Sequence, residues 1–426
     1  MRISIIFTLL FHILCLLALN TAPFHANKEE AEALLQWKNN CLSSSSTSLL
    51  DSSWSLNNLT NVCSWEGIIC NSAGSVSELN LPHGNIIVEV GQLTQLRYFS
   101  CFRNFLQDVI PFEISNLQNL RYLDLGVNNL ETPDWSKFHA MPLLSHLNLR
   151  ANDFTLDFPK DLITSCPNLS YLDLSKNHFT GQIPVSVFSK LQKLEHLDLG
   201  NNFFRGPFPI SLTNLSSLKF LRLSSNNLSG TIPHEIGSIT SLQVLKLFNN
   251  SFLGNIPPSI GNLKHLQYLN LGMNLLNSTI PVEIGSMNSL WTLDLQNNSF
   301  QGKIQPSIGN LQHLQYLYLA DNFLTGELPP SLSNISKLVE LDLSSNMLSA
   351  VIPQVQKSEL KEGGDSRWYY SAQTIVIEID ASRFSSETDP SRLQMIPSQL
   401  RTFVRLFTDQ EESNKEVDDD DDRPLI

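Results

Sequence analysis

Hydrophobic residues recur through the middle of this chain in a nine-residue pattern, Leu-x-x-Leu-x-Leu-x-x-Asn, in which we number the positions 1 to 9. Eleven copies begin at Leu96, Leu120, Leu144, Leu169, Leu194, Leu218, Leu242, Leu266, Leu290, Leu314 and Leu338. Successive copies start 24 residues apart, except for two intervals of 25 after Leu144 and Leu169. In the first copy, Phe99 and Cys101 replace leucines. Self-similarity at this period predicts a solenoid, in which each repeat buries its apolar face only against its neighbours.

Each copy is predicted to form one short strand, because an alternation such as Leu197-Asp198-Leu199 sends leucines to one side and the middle residue to the other. Strands of successive copies should then stack in parallel. The asparagine at position 9 carries a donor and an acceptor on a short side chain, so we expect a stacked row of these amides to satisfy buried loop backbone. Replacing one of them, as in Asn226→Leu, should destabilise the array by about 1–3 kcal/mol for each polar group left unpaired.

A second pattern follows the asparagine, and it carries a resemblance to a known family. Segments such as Gly181-Gln-Ile-Pro184 and Gly254-Asn-Ile-Pro257 closely resemble the plant-specific class of leucine-rich repeat. The resemblance implies an α/β repeat fold: a right-handed solenoid whose parallel β-strands line a concave, ligand-binding face.

The hydrophobic pattern divides the chain into four parts. Residues 1–26 contain Arg2 and the apolar run Ile3 to Leu19, which together predict a secretory signal peptide; a retained N-terminal anchor is the alternative. Residues 27–75 are expected to form an N-terminal cap. Residues 76–353 form the predicted solenoid, which starts with a degenerate copy. Residues 354–426 are a non-repeat tail, predicted to be partly disordered, that holds 9 basic and 16 acidic residues within a chain of net charge −13.

The cysteines and glycosylation motifs fit an extracellular chain. The segment Cys63-Ser-Trp65-Glu-Gly67-Ile-Ile-Cys70 looks like the cap of plant receptor-type repeat proteins, and this resemblance implies a Cys63–Cys70 disulfide. A zinc site would need two further ligands nearby, which the sequence lacks. Cys101 is expected to be a buried thiol, and neither Cys41 nor Cys166 has an identifiable partner. Predicted N-glycosylation sites are Asn58, Asn168, Asn214, Asn227, Asn249, Asn277, Asn297 and Asn334.

The sequence contains no recognisable catalytic, phosphate-binding or cofactor motif, and nothing in it indicates a nucleic-acid partner. After Pro353 it has neither an apolar run of 18 residues nor a kinase glycine-rich loop, which a membrane receptor kinase would need. No cysteine follows Cys166, although secreted and receptor-type members of the family normally close the solenoid with a second cysteine pair. We therefore expect a non-enzymatic chain equivalent to the front portion of a receptor.

Position 5 of each copy is expected to face outward on the concave side and to be free for binding. Its residues are Ser100, Asp124, Asn148, Asp173, Asp198, Arg222, Lys246, Asn270, Asp294, Tyr318 and Asp342. The two adjacent cations, Arg222 and Lys246, form a candidate site for a carboxylate. Nearby outward positions add aromatic and apolar anchors: Phe220, Phe248, Tyr268, Met273 and Tyr316. The alternative is that Arg222 pairs with Asp198 and Lys246 is simply hydrated. His146 and His196 are interpreted as ordinary surface residues.

These observations favour an extracellular recognition protein that binds a peptide or protein, with a receptor kinase as a further candidate partner, in signalling or defence. One alternative is a secreted inhibitor of pathogen cell-wall-degrading enzymes, similar to the polygalacturonase inhibitors; its family carries terminal cysteine pairs at both ends. Another is a structural wall or co-receptor component. Localisation in the cell wall or apoplast is expected, or at the plasma membrane for a longer form with a membrane span.

Overall fold

The computed structural model describes residues 28–41, 54, 61–80, 86 and 88–349. The predicted signal peptide, the acidic tail and the Asn58 motif lie outside the described residues. So does the side chain of Cys41, whose backbone ends the first helix.

Thirteen short strands form a single long sheet: the first from the cap, the second from the degenerate copy and one from each of the eleven copies. In sheet order these strands are β1 (Ile68–Cys70), β2 (Val76–Asn80), β3 (Tyr98–Ser100), β4 (Tyr122–Asp124), β5 (His146–Asn148), β6 (Tyr171–Asp173), β7 (His196–Asp198), β9 (Phe220–Arg222), β11 (Val244–Lys246), β13 (Tyr268–Asn270), β15 (Thr292–Asp294), β17 (Tyr316–Tyr318) and β19 (Glu340–Asp342). All pairings are parallel and in register from β2 onward, as the repeat predicts, so equal positions of successive copies lie side by side. Only β1 runs antiparallel to its neighbour β2.

Two smaller parallel sheets follow the ends of these strands. One contains β8 (Arg205–Pro207), β10 (Asn227–Thr231), β12 (Ser251–Gly254) and β14 (Leu275–Leu276). The other contains β16 (Gln301–Gly302), β18 (Phe323–Glu327) and β20 (Met347–Ser349). The predicted glycine turn lies here, since Gly230 and Gly326 have φ angles of 80° and 77° that a side chain would oppose.

Helical segments return the chain to the next strand. The α-helices are α1 (Lys28–Cys41), α2 (Lys160–Thr164) and α3 (Val185–Phe188). The 3₁₀ turns are Val88–Gln92, Phe112–Asn116, Trp135–Lys137, Ile210–Asn214, His234–Ser238, Pro258–Asn262, Val282–Ser286, Pro306–Asn310 and Pro330–Asn334. Glycine at the fourth residue of such a turn lets the next turn approach closely; a Cβ on Gly285 would lie 2.2 Å from the Ser307 carbonyl oxygen.

The leucines of positions 1, 4 and 6 form one continuous buried core along the array, together with the buried thiol of Cys101 that replaces one of them. The asparagine row is confirmed. Asn226 Nδ2 donates to the carbonyl oxygens of Leu199, Leu223 and Ser224, and its Oδ1 accepts from the Phe204 N–H at 3.0 Å. Each amide thus joins two repeats, which is why the solenoid needs the residue in every copy.

The N-terminal end of the core is covered as the resemblance implied. Cys63 and Cys70 form a disulfide with their Cα atoms 5.5 Å apart. The rings of Trp54 and Trp65 stack 5.2 Å apart beneath it. From α1, buried Glu30 accepts the Val76 N–H at 3.0 Å, and burial raises the pKa of this carboxyl.

Candidate ligand-binding face

Most residues at position 5 are structural, contrary to our expectation that they are free for binding. The oxygen of Asp173 accepts the Ser175 N–H at 2.8 Å, and that of Asn270 accepts the Gly272 N–H at 2.9 Å. The same bond closes the turn after the strand at Asp124, Asn148, Asp198, Asp294 and Asp342. Sequence reasoning could have found this role, because Asp and Asn are the residues that bond to the backbone two residues on. Arg222, Lys246 and Tyr318 lack such an oxygen acceptor.

Arg222 and Lys246 lie side by side on paired strands, but each is already engaged. Arg222 Nη1 lies 3.6 Å from Asp198 Oδ2, and the Arg222 side chain is 32% exposed. Lys246 Nζ lies 4.8 Å from the centre of the Tyr268 ring, a cation–π contact. Arg222 therefore follows the alternative that we considered, whereas the interpretation of Lys246 as simply hydrated is wrong.

The predicted aromatic residues separate into two groups. Phe220 lies 5.5 Å from the ring of His196, on the N-terminal side of the cations. Tyr268 lies on the C-terminal side, while Tyr316 and Tyr318 lie on β17, three strands from Lys246 and so about 14 Å along the sheet. Phe248 and Met273 follow their strands at the rim, half-buried and exposed respectively.

Trp291, which sequence reasoning missed, joins the C-terminal aromatic residues. Its ring lies 6.2 Å from Tyr268 and 6.3 Å from Tyr316, edge to face with both. Tyr316 stacks on Tyr318 at 6.4 Å, and the Tyr318 hydroxyl donates to Glu340 Oε2 at 2.9 Å. Trp291 stands at position 2, just before the strand, whereas the sequence analysis considered only residues within the strands or after them. We name Tyr268, Trp291, Tyr316 and Tyr318 the aromatic cluster.

The N-terminal half of the face carries a different arrangement, a row of rings at position 3. Its members, which we name the ring ladder, are Tyr98, Tyr122, His146, Tyr171, His196 and Phe220. The centres of the first five rings lie 4.0 to 4.2 Å apart and nearly parallel. His146 and His196 are therefore not ordinary surface residues. Burial lowers their pKa values to about 4 and about 3 respectively, so both rings are neutral near pH 7.

Carboxylates lie in the floor beside this ladder. Burial raises the pKa of Asp173 to about 7, and the adjacent Asp198 adds to the shift. Burial also raises the pKa of Asp198, although Arg222 opposes the effect. The tyrosine pKa values rise too, at Tyr122 and Tyr171, first through burial and then through Asp124 and Asp173.

The predicted glycosylation sites within the described residues lie mainly in the C-terminal half. Asn249 and Asn297 occupy position 8, and Asn227 and Asn277 lie farther along the same rim, beyond the ends of the strands. Asn214 and Asn334 end 3₁₀ turns on the opposite, convex side. These six side chains are exposed, whereas Asn168 is half-buried: its amide donates to Pro142 O at 2.6 Å and accepts from Lys193 Nζ at 2.7 Å. Glycosylation itself stays a prediction.

Within the described residues, no group of histidine, cysteine and acidic side chains is arranged to hold a metal ion. No helix in the same part of the chain has the length and apolar character needed to cross a membrane.

Comparison with known families follows the repeat pattern. Family models described as leucine-rich repeat match residues 94–154, 167–228 and 241–263, and one described as leucine-rich repeat region matches 255–360. A model of the leucine-rich repeat N-terminal domain matches residues 27–71. Together these ranges cover more than half of the chain. The chain is a leucine-rich-repeat protein.

This leucine-rich-repeat protein is similar to plant receptors. It is 42% identical to phytosulfokine receptor 1 of Arabidopsis thaliana over 77 residues, which are 17% of this chain and 8% of the receptor. Among solved structures, it is similar to the plant peptide hormone receptor RGFR1 in complex with RGF2, with 34% identity and a TM-score of 0.61. It is also similar to the Arabidopsis receptor kinase HAESA in complex with the peptide hormone IDA and the co-receptor SERK1, with 29% identity and a TM-score of 0.64.

The matches cover only part of each relative. The chain spans 43% of the RGFR1 chain and 59% of the HAESA chain, while 64% and 76% of this chain are matched. What the resemblance implied about the fold is confirmed, and the similarity lies in the repeats.

Proposed function

We propose that this leucine-rich-repeat protein is an extracellular, receptor-like recognition protein that binds a peptide or protein on the C-terminal half of its concave face. The observation that carries the proposal is the aromatic cluster. Tyr268, Trp291, Tyr316 and Tyr318 are half-buried rather than packed into the core, and they lie on three successive strands. Half-buried aromatic residues around a cation are the kind of surface on which binding energy concentrates.

Similarity to solved receptors supports the same choice. RGFR1 is described as a plant peptide hormone receptor in complex with RGF2, and HAESA is described in complex with the peptide hormone IDA; this chain shares their fold at 29–34% identity. The proposed function transfers the class of ligand, a peptide, and not a particular hormone. HAESA is also described with a co-receptor. We therefore propose that a second receptor chain binds this protein once its ligand is bound, and not the free protein.

The test begins with a random dodecapeptide library selected on the secreted protein. We expect enriched peptides to lose at least tenfold in affinity on the double variant Tyr268→Ala with Tyr316→Ala, because each ring contributes roughly 1–2 kcal/mol of contact. The matched control is Phe105→Ala, which removes a ring that is 77% exposed at the N-terminal end of the array. Binding that survives the double variant, or that is lost in the control, would place the ligand elsewhere. A library that yields no binding peptide would contradict a peptide ligand and leave a protein as the partner to test.

A further inference from the structure

A polar pocket opens beside the aromatic cluster, at the rim where the chain enters its strands. Its volume is about 240 Å³, and it is lined by Gln267, Ser289, Trp291, His313, Gln315 and Lys337. These residues precede or begin successive strands, at position 2 or at the residue immediately before position 1. Trp291 also contacts Tyr268 and Tyr316, so the pocket is continuous with the aromatic cluster.

The pocket offers hydrogen-bonding groups that the fold itself does not use. No side-chain hydrogen bond or ion pair within the described chain engages Gln267, Ser289, Gln315 or Lys337. His313 Nδ1 lies 2.9 Å from the Asn288 carbonyl oxygen, which can only accept, so Nδ1 carries a proton. Side chains of this kind along a concave rim are available to a ligand.

The charge of the pocket favours an anion. Its lining contains one ammonium group, one imidazole and two primary amides, and it contains no carboxylate. Elsewhere on the face, Arg222 is paired with Asp198 and Lys246 lies over Tyr268, so both original candidate cations are committed. Lys337 is the better placed cation for a ligand carboxylate, and the indole of Trp291 supplies an apolar wall beside it.

The pocket also lies on the side of the sheet away from the predicted glycans of Asn249 and Asn297. Those residues are at position 8, after the strands, whereas the pocket residues come before them. In a parallel sheet, strand starts and strand ends form opposite rims. A ligand can therefore approach the pocket and the aromatic cluster together without crossing the glycosylated rim.

We propose that this pocket binds a carboxylate of the peptide ligand, with a neighbouring flat apolar side chain packed against Trp291. The inference rests on the proposed function and names the chemistry of its site. A peptide is favoured over an acidic sugar because apolar rings continue from Trp291 along the strands through Tyr316 to Tyr318, which suits successive side chains better than successive hydroxylated rings.

The experiment uses the tripeptide acetyl-Gly-Gly-Phe with a free C-terminal carboxylate, and the same peptide as its amide, with binding followed by ligand-observed NMR. The carboxylate should bind the intact protein more tightly than the amide. Lys337→Gln should weaken the carboxylate peptide roughly two- to fivefold, as expected for an exposed ion pair, and leave the amide unchanged. Trp291→Ala should lower the affinity for both peptides roughly tenfold, and Trp291→Phe should lower it less. An intermediate affinity of Trp291→Phe indicates loss of an aromatic contact rather than misfolding.

The matched control is Lys193→Gln. Lys193 also stands immediately before position 1, but it bonds to Asn168 and no tryptophan follows in its repeat.

Equal binding by the pocket variants and the intact protein would overturn the inference, as would equal binding of amide and carboxylate. If trigalacturonate bound more tightly than the peptide and depended on Lys337, the pocket would be a sugar site. Loss of dodecapeptide binding in the Tyr268 and Tyr316 double variant, with no loss in Lys337→Gln and equal binding of amide and carboxylate, would leave the proposed function standing without the inference.

Discussion

The two halves of the concave sheet have the same backbone arrangement but arrange their aromatic side chains differently. In the N-terminal half every position 3 from Tyr98 to Phe220 carries a ring, and the rings from Tyr98 to His196 stack about 4 Å apart. In the C-terminal half Val244 and Thr292 interrupt the row. Tyr268 and Tyr316 therefore lack ring neighbours at position 3, and Trp291 reaches them edge-on from position 2. The rings of both halves are half-buried, so the halves differ in how their rings meet: face to face in the first and edge to face around Trp291 in the second.

At the same boundary two neighbouring copies carry cations at position 5, before aspartate returns at Asp294 and Asp342. Position 5 holds buried carboxylates at Asp173 and Asp198, which are 5% and 8% exposed, and then the cations Arg222 and Lys246. Arg222 reaches back to Asp198 and so partly neutralises the end of the acidic row. Beyond it, cationic and aromatic side chains remain accessible. The proposed ligand-binding surface therefore lies on the second half.

The largest effect should come from Asn226→Leu, which removes hydrogen bonds between neighbouring repeats at this boundary. The change removes three donated bonds to carbonyl oxygens and leaves the Phe204 N–H without its acceptor. Because each buried group left unpaired costs about 1–3 kcal/mol, we expect a loss of roughly 3 kcal/mol or more in the free energy of unfolding. Since a solenoid is held together by neighbour contacts, urea unfolding followed by circular dichroism should show two transitions instead of one.

The matched control for that substitution is Asn346→Leu. Asn346 makes the same pattern of amide bonds in the last described repeat, but it is only half-buried. We expect a smaller loss and no separate transition, because this amide joins only the end of the described array to its neighbour. Equal losses in the free energy of unfolding at the two sites would show that the amide at the boundary is no more important for stability than the one at the end of the described array.

The second prediction concerns the buried carboxylates, and its sign follows from their raised pKa. Asp173 has a folded-state pKa of about 7 against an ordinary value of 3.8, so the folded protein binds the proton more tightly than the unfolded chain. Asp173 therefore costs stability as pH rises from about 4 to about 7. Asp173→Asn should make the protein more stable than the wild type at pH 8, by roughly 4 kcal/mol, and the gain should shrink towards pH 4.

The measurement is the difference in free energy of unfolding between variant and wild type at pH 8, about one unit above the folded-state pKa of Asp173, and at pH 4.5, near the lower end of its titration. Taking the difference removes the opposite contribution of His146 and His196, whose lowered pKa values cost stability as pH falls below 6.5. The control is Asp342→Asn in the C-terminal half. Asp342 accepts the same two bonds, from Ser344, but it is less buried and faces Tyr318 on the adjacent strand rather than a second aspartate. A gain that is larger at pH 4.5 would contradict the prediction.

The repeat pattern predicted the fold far better than it predicted the site. The leucines and the asparagines at position 9, such as Asn226, determine the strands, their register and the core. They do so because the same leucine packing and amide hydrogen bonds recur between every pair of neighbouring repeats. Position 5 was misread because outward-facing does not mean free: Asp173 is turned back onto its own loop. The ring ladder could have been found by reading position 3 down the array. That Lys246 lies over Tyr268 and that Trp291 lines a pocket depend on side-chain conformations that no spacing specifies.

The smallest expected effect concerns the backbone conformation at position 8, which both halves share. Position 8 has a positive φ in every described copy, for example 57° at Val127 and 52° at Asn297. Asparagine tolerates this left-handed conformation, and it occupies position 8 at Asn249 and Asn297 in the C-terminal half; a β-branched valine strongly disfavours it. Val127→Asn should therefore stabilise the N-terminal half by about 0.5–1 kcal/mol, seen as a rise in Tm of a few degrees at most. The reverse change, Asn297→Val, should destabilise by a similar amount, and it also removes a predicted glycosylation site. Both proteins are therefore compared after deglycosylation, and a stabilising Asn297→Val would show that local strain at this position does not control stability.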